Sequence, residues 1–187
     1  MVRSQLALVL IGVLWVTSAE AQPTPIAGVL SGQLGAVFGG ETDKTGITPS
    51  GAIAILESNG WGAEIDAGHT FRMADEDTFE DSRVTTLMLN VLGSRPSGPV
   101  RPFGTAGIGL IRLRARHAEI DQSVLRTDWG LNLGAGAFLM LNEISAVRVD
   151  LRYFRYLDHH GDLLVSDGDP FDFWRLSFGM TWGWPIR

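Results

Sequence analysis

The chain has 187 residues, which suit one domain, and its formal net charge is −6 at pH 7. This acidic balance lacks the basic footprint of a nucleic-acid-binding protein. Because the sequence contains no cysteine, it excludes a disulfide framework, a thiolate metal site and a cysteine nucleophile.

The first 21 residues have the three regions of a secretory signal peptide. Arg3 supplies a positive start, residues 6–16 form an apolar core too short to span a bilayer, and Ala19-Glu20-Ala21 offers small residues for cleavage. A buried N-terminal helix is the alternative interpretation. We expect residues 1–21 to be removed and residues 22–187 to form one domain.

Eight strand-like segments follow, and most are near the ten residues that a tilted membrane strand needs. They are Val29–Gly39, Gly51–Leu56, Trp61–Arg72, Val84–Leu92, Arg101–Arg114, Asp128–Met140, Ser145–Leu157 and Phe173–Trp184. Long connections, such as residues 73–83 and 158–172, alternate with short ones, such as residues 57–60 and 141–144. This alternation is typical of outer-membrane barrels, whose long loops face outside the cell.

The seventh segment indicates which face of the sheet meets lipid. Val147, Val149 and Leu151 alternate with Arg148, Asp150 and Arg152. A soluble sheet turns its charges toward water, whereas a membrane barrel turns aliphatic residues toward lipid and polar residues toward its lumen. The outward residues of all eight segments would expose about 10³ Å² of apolar surface, which lipid must cover. The sequence therefore predicts an all-β fold, an eight-stranded antiparallel up-and-down transmembrane β-barrel. A soluble lipocalin-like barrel with the two faces exchanged is the rival fold.

The inward positions predict a lumen plugged by polar side chains and not an open pore. The charged members of this polar network are Glu64, Asp66, Arg148, Asp150, Arg152 and Arg175. Counted from the short turns, Glu64 and Arg148 lie at similar depth, as do Asp66 and Asp150, so ion pairs across the lumen are possible. Inward glycines are expected to make room for the arginines, namely Gly107, Gly109, Gly134, Gly136 and Gly179.

Aromatic residues cluster at both ends of the outward face, which predicts two interfacial girdles. The turn-side girdle comprises Trp61, Phe103, Trp182 and Trp184, and the loop-side girdle comprises Phe71, Trp129, Tyr153 and Trp174.

Several segments resemble the small OmpA-type outer-membrane β-barrel family, the outer membrane protein beta-barrel domain. They are Pro102–Gly109, Gly130–Gly136, Arg148–Tyr153 and the final strand Phe173–Trp184. The resemblance implies an eight-stranded barrel in the outer membrane of a Gram-negative-type bacterium, usually non-enzymatic and active in envelope integrity, adhesion or surface interaction. The partners we expect are outer-membrane lipid and lipopolysaccharide, the barrel assembly machinery, and an extracellular partner of unknown identity bound through the loops.

Some small barrels modify lipids, so the four histidines are candidate catalytic residues; they are His69, His117, His159 and His160. The His-x-Ser motif of lipid A deacylase barrels does not occur. His159, His160, Asp162 and Ser166 share the last long loop and could form an acyltransferase-like set, although loop polarity explains them more simply. Acidic loop residues match no full calcium-binding loop. We expect no catalytic residue, metal or cofactor; a lipid A-modifying enzyme and a narrow channel remain the alternatives.

Overall fold

A closed antiparallel barrel is formed by the residues that the computed structural model describes, 26–39, 45–71, 79–117, 123–157 and 172–186. Its strands are β1 (Ile26–Phe38), β2 (Gly46–Glu57), β3 (Trp61–Phe71), β4 (Phe79–Ser94), β5 (Val100–His117), β6 (Ser123–Met140), β7 (Ser145–Tyr156) and β8 (Asp172–Ile186). Each strand pairs with the next, and β8 pairs with β1. Within those ranges, no helix is long and apolar enough to cross a membrane.

The predicted eight-stranded architecture is confirmed, but several strands are longer than predicted. β2 begins at Gly46 instead of Gly51, β4 at Phe79 instead of Val84, and β6 at Ser123 instead of Asp128. In β4 and β6 the added residues include Glu80, Asp81, Arg83 and Arg126. These polar side chains interrupt the hydrophobic alternation on which the predicted bounds depended, while the backbone ladder continues.

Three short turns join the strands at one end of the barrel, which we call the turn end; the opposite end is the loop end. Gly60 and Gly98 have φ angles of 91° and 104°, values that residues with a Cβ rarely adopt. In the third turn, the side-chain oxygen of Asn142 accepts hydrogen bonds from the backbone N–H groups of Ile144 and Ser145. Local turn chemistry therefore sets the tight connections.

Side chains alternate between the exterior and the lumen along every strand. Leu133 and Phe178 are 64% and 65% exposed, whereas Arg148 and Arg152 are fully buried. Soluble monomers rarely expose a large contiguous apolar surface, whereas an exposed apolar surface surrounds this barrel. The rival soluble barrel, with the charges of β7 outside, is therefore wrong.

Candidate functional site: the filled lumen

The lumen contains a polar layer between two apolar layers. The turn-end layer consists of Leu92, Phe103, Phe138 and Ala146, with Leu56 and Met140 packed against it. The loop-end layer consists of Val37, Val84, Met88, Ile111, Phe154, Tyr156 and Phe173. Between them lie the six charged residues of the predicted network, each at most 2% exposed. The structure thus brings all six together.

Arg148 connects opposite parts of the barrel wall. Its Nη1 donates to Glu64 Oε2 at 2.6 Å, which joins β7 to β3, and its Nη2 donates to Asp150 Oδ2 at 2.8 Å. A further contact of 3.4 Å reaches the hydroxyl of Ser31 on β1. The contacts of 2.6 and 2.8 Å are charge-assisted hydrogen bonds, which are among the stronger polar contacts in proteins. Arg148 therefore spans the interior as well as pairing with Asp150 along its own strand.

Arg152 and Arg175 complete the network. Arg152 Nη2 lies 2.7 Å from Glu64 Oε1 and 2.7 Å from Asp150 Oδ2, and its Nη1 lies 3.6 Å from Asp66 Oδ2. Arg175 Nη2 donates to Asp66 Oδ1 at 2.7 Å, which joins β8 to β3. Three arginines face three carboxylates, so the buried network has no net formal charge. Buried charges persist only when paired and hydrogen-bonded in this way.

Two asparagines extend the network toward β4 and β6. Asn90 Nδ2 donates to Glu64 Oε1 at 3.1 Å, and Asn132 Nδ2 donates to Asn90 Oδ1 at 2.8 Å. Glu64 consequently accepts hydrogen bonds from Arg148, Arg152 and Asn90 together. This carboxylate is the central acceptor of the lumen.

The guanidinium groups also pack against the apolar layers. The Arg148 guanidinium carbon lies 4.8 Å from the Phe103 ring centroid and 5.4 Å from that of Phe138. At the other end, the Arg175 guanidinium lies 4.9 Å from the Phe154 ring, which stacks on Phe173. Cation–π contacts strengthen when desolvated, to about 2 kcal/mol. The polar layer is therefore bounded by aromatic rings on both sides.

Glycines provide the space for these long side chains, although not all of those expected. A Cβ on Gly134 would lie 2.7 Å from Arg152 Cγ, and one on Gly68 would lie 2.5 Å from Arg175 Nη1. Other inward glycines make room for different residues: Gly107 for Asn90, Gly109 for Met88, Gly136 for Phe103 and Gly179 for Gln33. The expectation that these glycines make room for arginines is therefore right for Gly134 and wrong for the other four, and it did not include Gly68.

The predicted girdle residues lie on the exterior, with one exception. Trp61, Phe71, Trp129, Trp174, Trp182 and Trp184 are 40–58% exposed. Tyr153 packs against Trp174 at 5.1 Å, and its hydroxyl donates to Asp172 Oδ2 at 2.6 Å. Phe103 is only 4% exposed, so its outward placement is wrong. The two-residue period places Phe103 on the same face as the inward Thr105, and its ring covers Gly136 and Arg148 in the lumen.

Of the four candidate catalytic histidines, the structure describes the side chain of one. His69, at the loop end, hydrogen-bonds through Nδ1 to the Thr85 hydroxyl at 2.8 Å and contacts the Phe71 ring edge-on. Within the described ranges, no group of three or more His, Cys, Asp or Glu side chains could hold a metal ion. The side chain of His117 and all of His159, His160 and Ser166 lie outside the described structure.

A cavity of about 310 Å³ opens at the turn end. Its walls include Trp184, Glu143 and Arg101, and its inner wall includes Leu56 and Phe138 of the turn-end layer. The cavity therefore lies between the short turns and the apolar layer that covers Arg148.

A closed eight-stranded barrel with an apolar exterior and a polar, filled lumen defines the class of outer-membrane β-barrel proteins. The family model described as outer membrane protein beta-barrel domain matches residues 6–182. The chain belongs to this family and is a protein of the outer membrane, where lipids and lipopolysaccharide surround it.

Individual relatives are distant. Over 103 residues the chain is 29% identical to the 25 kDa outer-membrane immunogenic protein of Brucella abortus, a match that covers 55% of this chain and 47% of that protein. The chain thus spans about half the length of the curated relatives it matches. The fold is similar to that of Neisserial surface protein A, with a TM-score of 0.63 and 14% identity over 84% of this chain and 96% of that one. The N-terminal barrel of Pseudomonas aeruginosa OprF gives a TM-score of 0.60 and 13% identity over 84% of this chain and 97% of that one.

Proposed function

We propose that this protein is a non-catalytic barrel with a structural or surface-interaction role in the cell envelope. The observation that supports this proposal is the filled lumen: a neutral network of paired charges lies between two aromatic-rich apolar layers. An interior of this kind stabilises the barrel, and it leaves the exterior and the loops as the surfaces for interaction. The barrel assembly machinery and an extracellular partner bound through the loops belong to this proposal.

The narrow-channel alternative predicts ion flow through the lumen. Phe103 and Phe138 cover one side of the charged layer, and Phe154 and Phe173 cover the other. The refolded barrel should therefore give no reproducible single-channel steps in a planar lipid bilayer. A Phe103→Ala/Phe154→Ala variant, which thins both layers, is the matched comparison. Reproducible steps from the parent protein would contradict the proposal.

The enzyme alternative depends on loop residues. Expression of the parent protein and of a His159→Ala/His160→Ala variant in a Gram-negative host should leave the lipid A mass spectrum identical to that of cells without either protein. Loss or gain of an acyl chain with the parent, abolished in the variant, would establish a lipid-modifying enzyme instead.

Export and barrel closure are tested together. The outer-membrane fraction is run on a denaturing gel unheated and boiled, and the N-terminus of the recovered protein is sequenced. We expect a band that moves on boiling, as a closed detergent-resistant barrel gives, and a mature chain that starts near Gln22. A protein that stays soluble without detergent and whose band does not move on boiling would refute the proposal.

A further inference from the structure

The cavity at the turn end has an apolar floor and a charged mouth. Its floor includes Leu56, Phe138 and Ala146 of the turn-end layer, together with Met140. Two arginines and two glutamates line the mouth, namely Arg95, Arg101, Glu57 and Glu143. Ligand-binding pockets commonly combine apolar walls with a small number of polar groups in this way. The short turns of outer-membrane barrels face the periplasm, so the cavity opens on the periplasmic side.

Arg101 differs from the other charged residues of the mouth in its burial. It is half-buried, whereas Arg95, Glu57 and Glu143 are exposed. Arg101 pairs with Phe138 in the β5–β6 ladder, which places its backbone beside the cavity floor, and its Nε donates to the backbone oxygen of Gly98 at 3.3 Å.

The two Nη atoms of Arg101 form no hydrogen bond or ion pair with any residue in the described ranges. A guanidinium that is partly removed from water attracts an anion more strongly than an exposed one does, because the electrostatic attraction increases as water is excluded. Its Nη groups present parallel N–H donors that match the two oxygens of a carboxylate. The charge at the inner edge of the mouth therefore favours an anionic head group.

The two glutamates favour a cationic head group less strongly. Both carboxylates are exposed, so their attraction for a cation is screened by water and salt. Glu57 also accepts a hydrogen bond from Asn59 Nδ2 at 2.9 Å. A ligand with a carboxylate thus suits the mouth better than a ligand with an amine.

The volume of the cavity limits the size of the ligand. It is about 310 Å³, and a water molecule occupies about 30 Å³ in the liquid, so the cavity has room for roughly ten non-hydrogen atoms. The Phe138 ring and the flexible thioether of Met140 provide an apolar surface to which an aromatic or short aliphatic group can adapt. A compact amphipathic molecule therefore fits both the floor and the mouth.

We propose that the turn-end cavity binds a small amphipathic monocarboxylate from the periplasm, with its carboxylate on Arg101 and its apolar body against Phe138 and Met140. This goes beyond the proposed function, because it adds a ligand class and a site at the turn end to the exterior and the loops. The site is open to the periplasm and separated from the charged layer of the lumen by Phe138 and the rest of the turn-end layer.

The test uses 3-phenylpropionate, a carboxylate of the expected size, and 3-phenylpropanamide, its neutral amide of the same shape. The barrel is refolded in lipid nanodiscs with ¹³C-labelled methionine methyl groups, and the methyl shifts are followed during titration. Met140 lines the cavity, Met88 lies in the loop-end layer, and Met180 occupies an outward position where it detects ligand that enters the lipid. We expect a saturable shift at Met140 alone, and about tenfold weaker binding of the amide, which corresponds to about 1.4 kcal/mol.

Three variants separate charge from shape. Arg101→Gln should weaken binding of the carboxylate about tenfold and leave binding of the amide unchanged. Arg155→Gln removes the same charge from an exposed site outside the cavity and should bind both probes as the parent does. Ala27→Trp adds a large side chain to the cavity wall and should abolish binding of both probes. Folding of every variant is checked by its gel shift on boiling.

Five results would overturn the proposal. They are the absence of a shift at Met140, a shift at Met180 that parallels the one at Met140, a saturable shift at Met88, equal affinity for the carboxylate and the amide, and equal loss of affinity in Arg101→Gln and Arg155→Gln. Tighter binding of 3-phenylpropylamine than of 3-phenylpropionate would assign the mouth to a cation through its glutamates and would also overturn it.

Discussion

Replacing Arg148 by methionine should destabilise the barrel through uncompensated charge. Arg148 is fully buried and donates to Glu64 and Asp150 at 2.6 and 2.8 Å. Arg152 also donates to both carboxylates. Neither carboxylate is therefore stranded completely, but three carboxylates then share two arginines. Removing one partner of a buried ion pair costs about 3–5 kcal/mol. Methionine keeps much of the side-chain volume and a favourable contact with the Phe103 ring, so the loss reports mainly on charge.

The double variant Arg148→Met/Glu64→Gln separates charge from packing. It removes one charge of each sign and leaves Arg152 and Arg175 with Asp66 and Asp150. The amide oxygen of the new glutamine can still accept the hydrogen bonds from Arg152 and Asn90 that Glu64 Oε1 accepts now. Because a buried pair can often be replaced by neutral groups at little cost, we expect the double variant to lie within about 1–2 kcal/mol of the parent.

The measurement is urea unfolding of the refolded proteins in lipid vesicles, followed by tryptophan fluorescence and by the gel shift on boiling. The expected order of stability is the parent, then the double variant, then Arg148→Met. If the double variant is as unstable as the single variant, the loss arises from packing against Phe103 and Phe138 and the charge argument is refuted. An unfolding curve for Arg148→Met that overlays the parent curve would exclude both explanations.

Two further substitutions test the lumen and the exterior in the same unfolding assay. Gly134→Ala places a Cβ 2.7 Å from Arg152 Cγ and 2.9 Å from a backbone oxygen, and should cost about 1–3 kcal/mol, whereas Gly32→Ala meets nothing within 4 Å and should cost nothing. Equal stability of the two variants would contradict the assigned role of Gly134. Leu133→Arg puts a charge on the apolar exterior and should cost about 2–4 kcal/mol, against about 0–1 kcal/mol for Leu141→Arg in a turn. A similar cost at both positions would show that the exterior does not face lipid.

The two-residue period of the sequence was enough to predict the barrel and the membership of the charged layer. β7 shows why: Arg148, Asp150 and Arg152 occupy every second position, so their common direction follows from strand geometry alone. The outward placement of Phe103 was wrong because it relied on residue type and not on strand geometry. Its aromatic character suggested the interface, although its position in β5 places it inside. Position in the strand was the better guide than residue type.

The pairing of Asp66 could not be predicted in this way, unlike that of Glu64 with Arg148. Asp66, expected at the depth of Asp150, pairs with Arg175 of β8 at 2.7 Å. Which residues meet across a barrel depends on strand tilt and stagger, and these are not visible in a single sequence. The place of Arg83 in a strand was missed because Arg83 was assigned to a long loop, whereas the structure extends β4 to Phe79 and places Arg83 opposite Arg114.

The charged residues of the lumen also restrict the register of β7, and this restriction helps to explain why a barrel would contain buried charges. Shifting β7 by one residue would turn Arg148 and Arg152 toward lipid, at about 2–4 kcal/mol for each arginine near the membrane centre. A shift by two residues would keep the faces correct but move Arg148 about 7 Å along the direction of the strand, beyond hydrogen-bonding distance of its present acceptor on Glu64. An aliphatic lumen would disfavour the one-residue shift only weakly, and it would not favour the present register over the two-residue shift. The paired charges therefore favour one register of β7, and with it the placement of Phe103, Phe138 and Phe154 against the two sides of the charged layer.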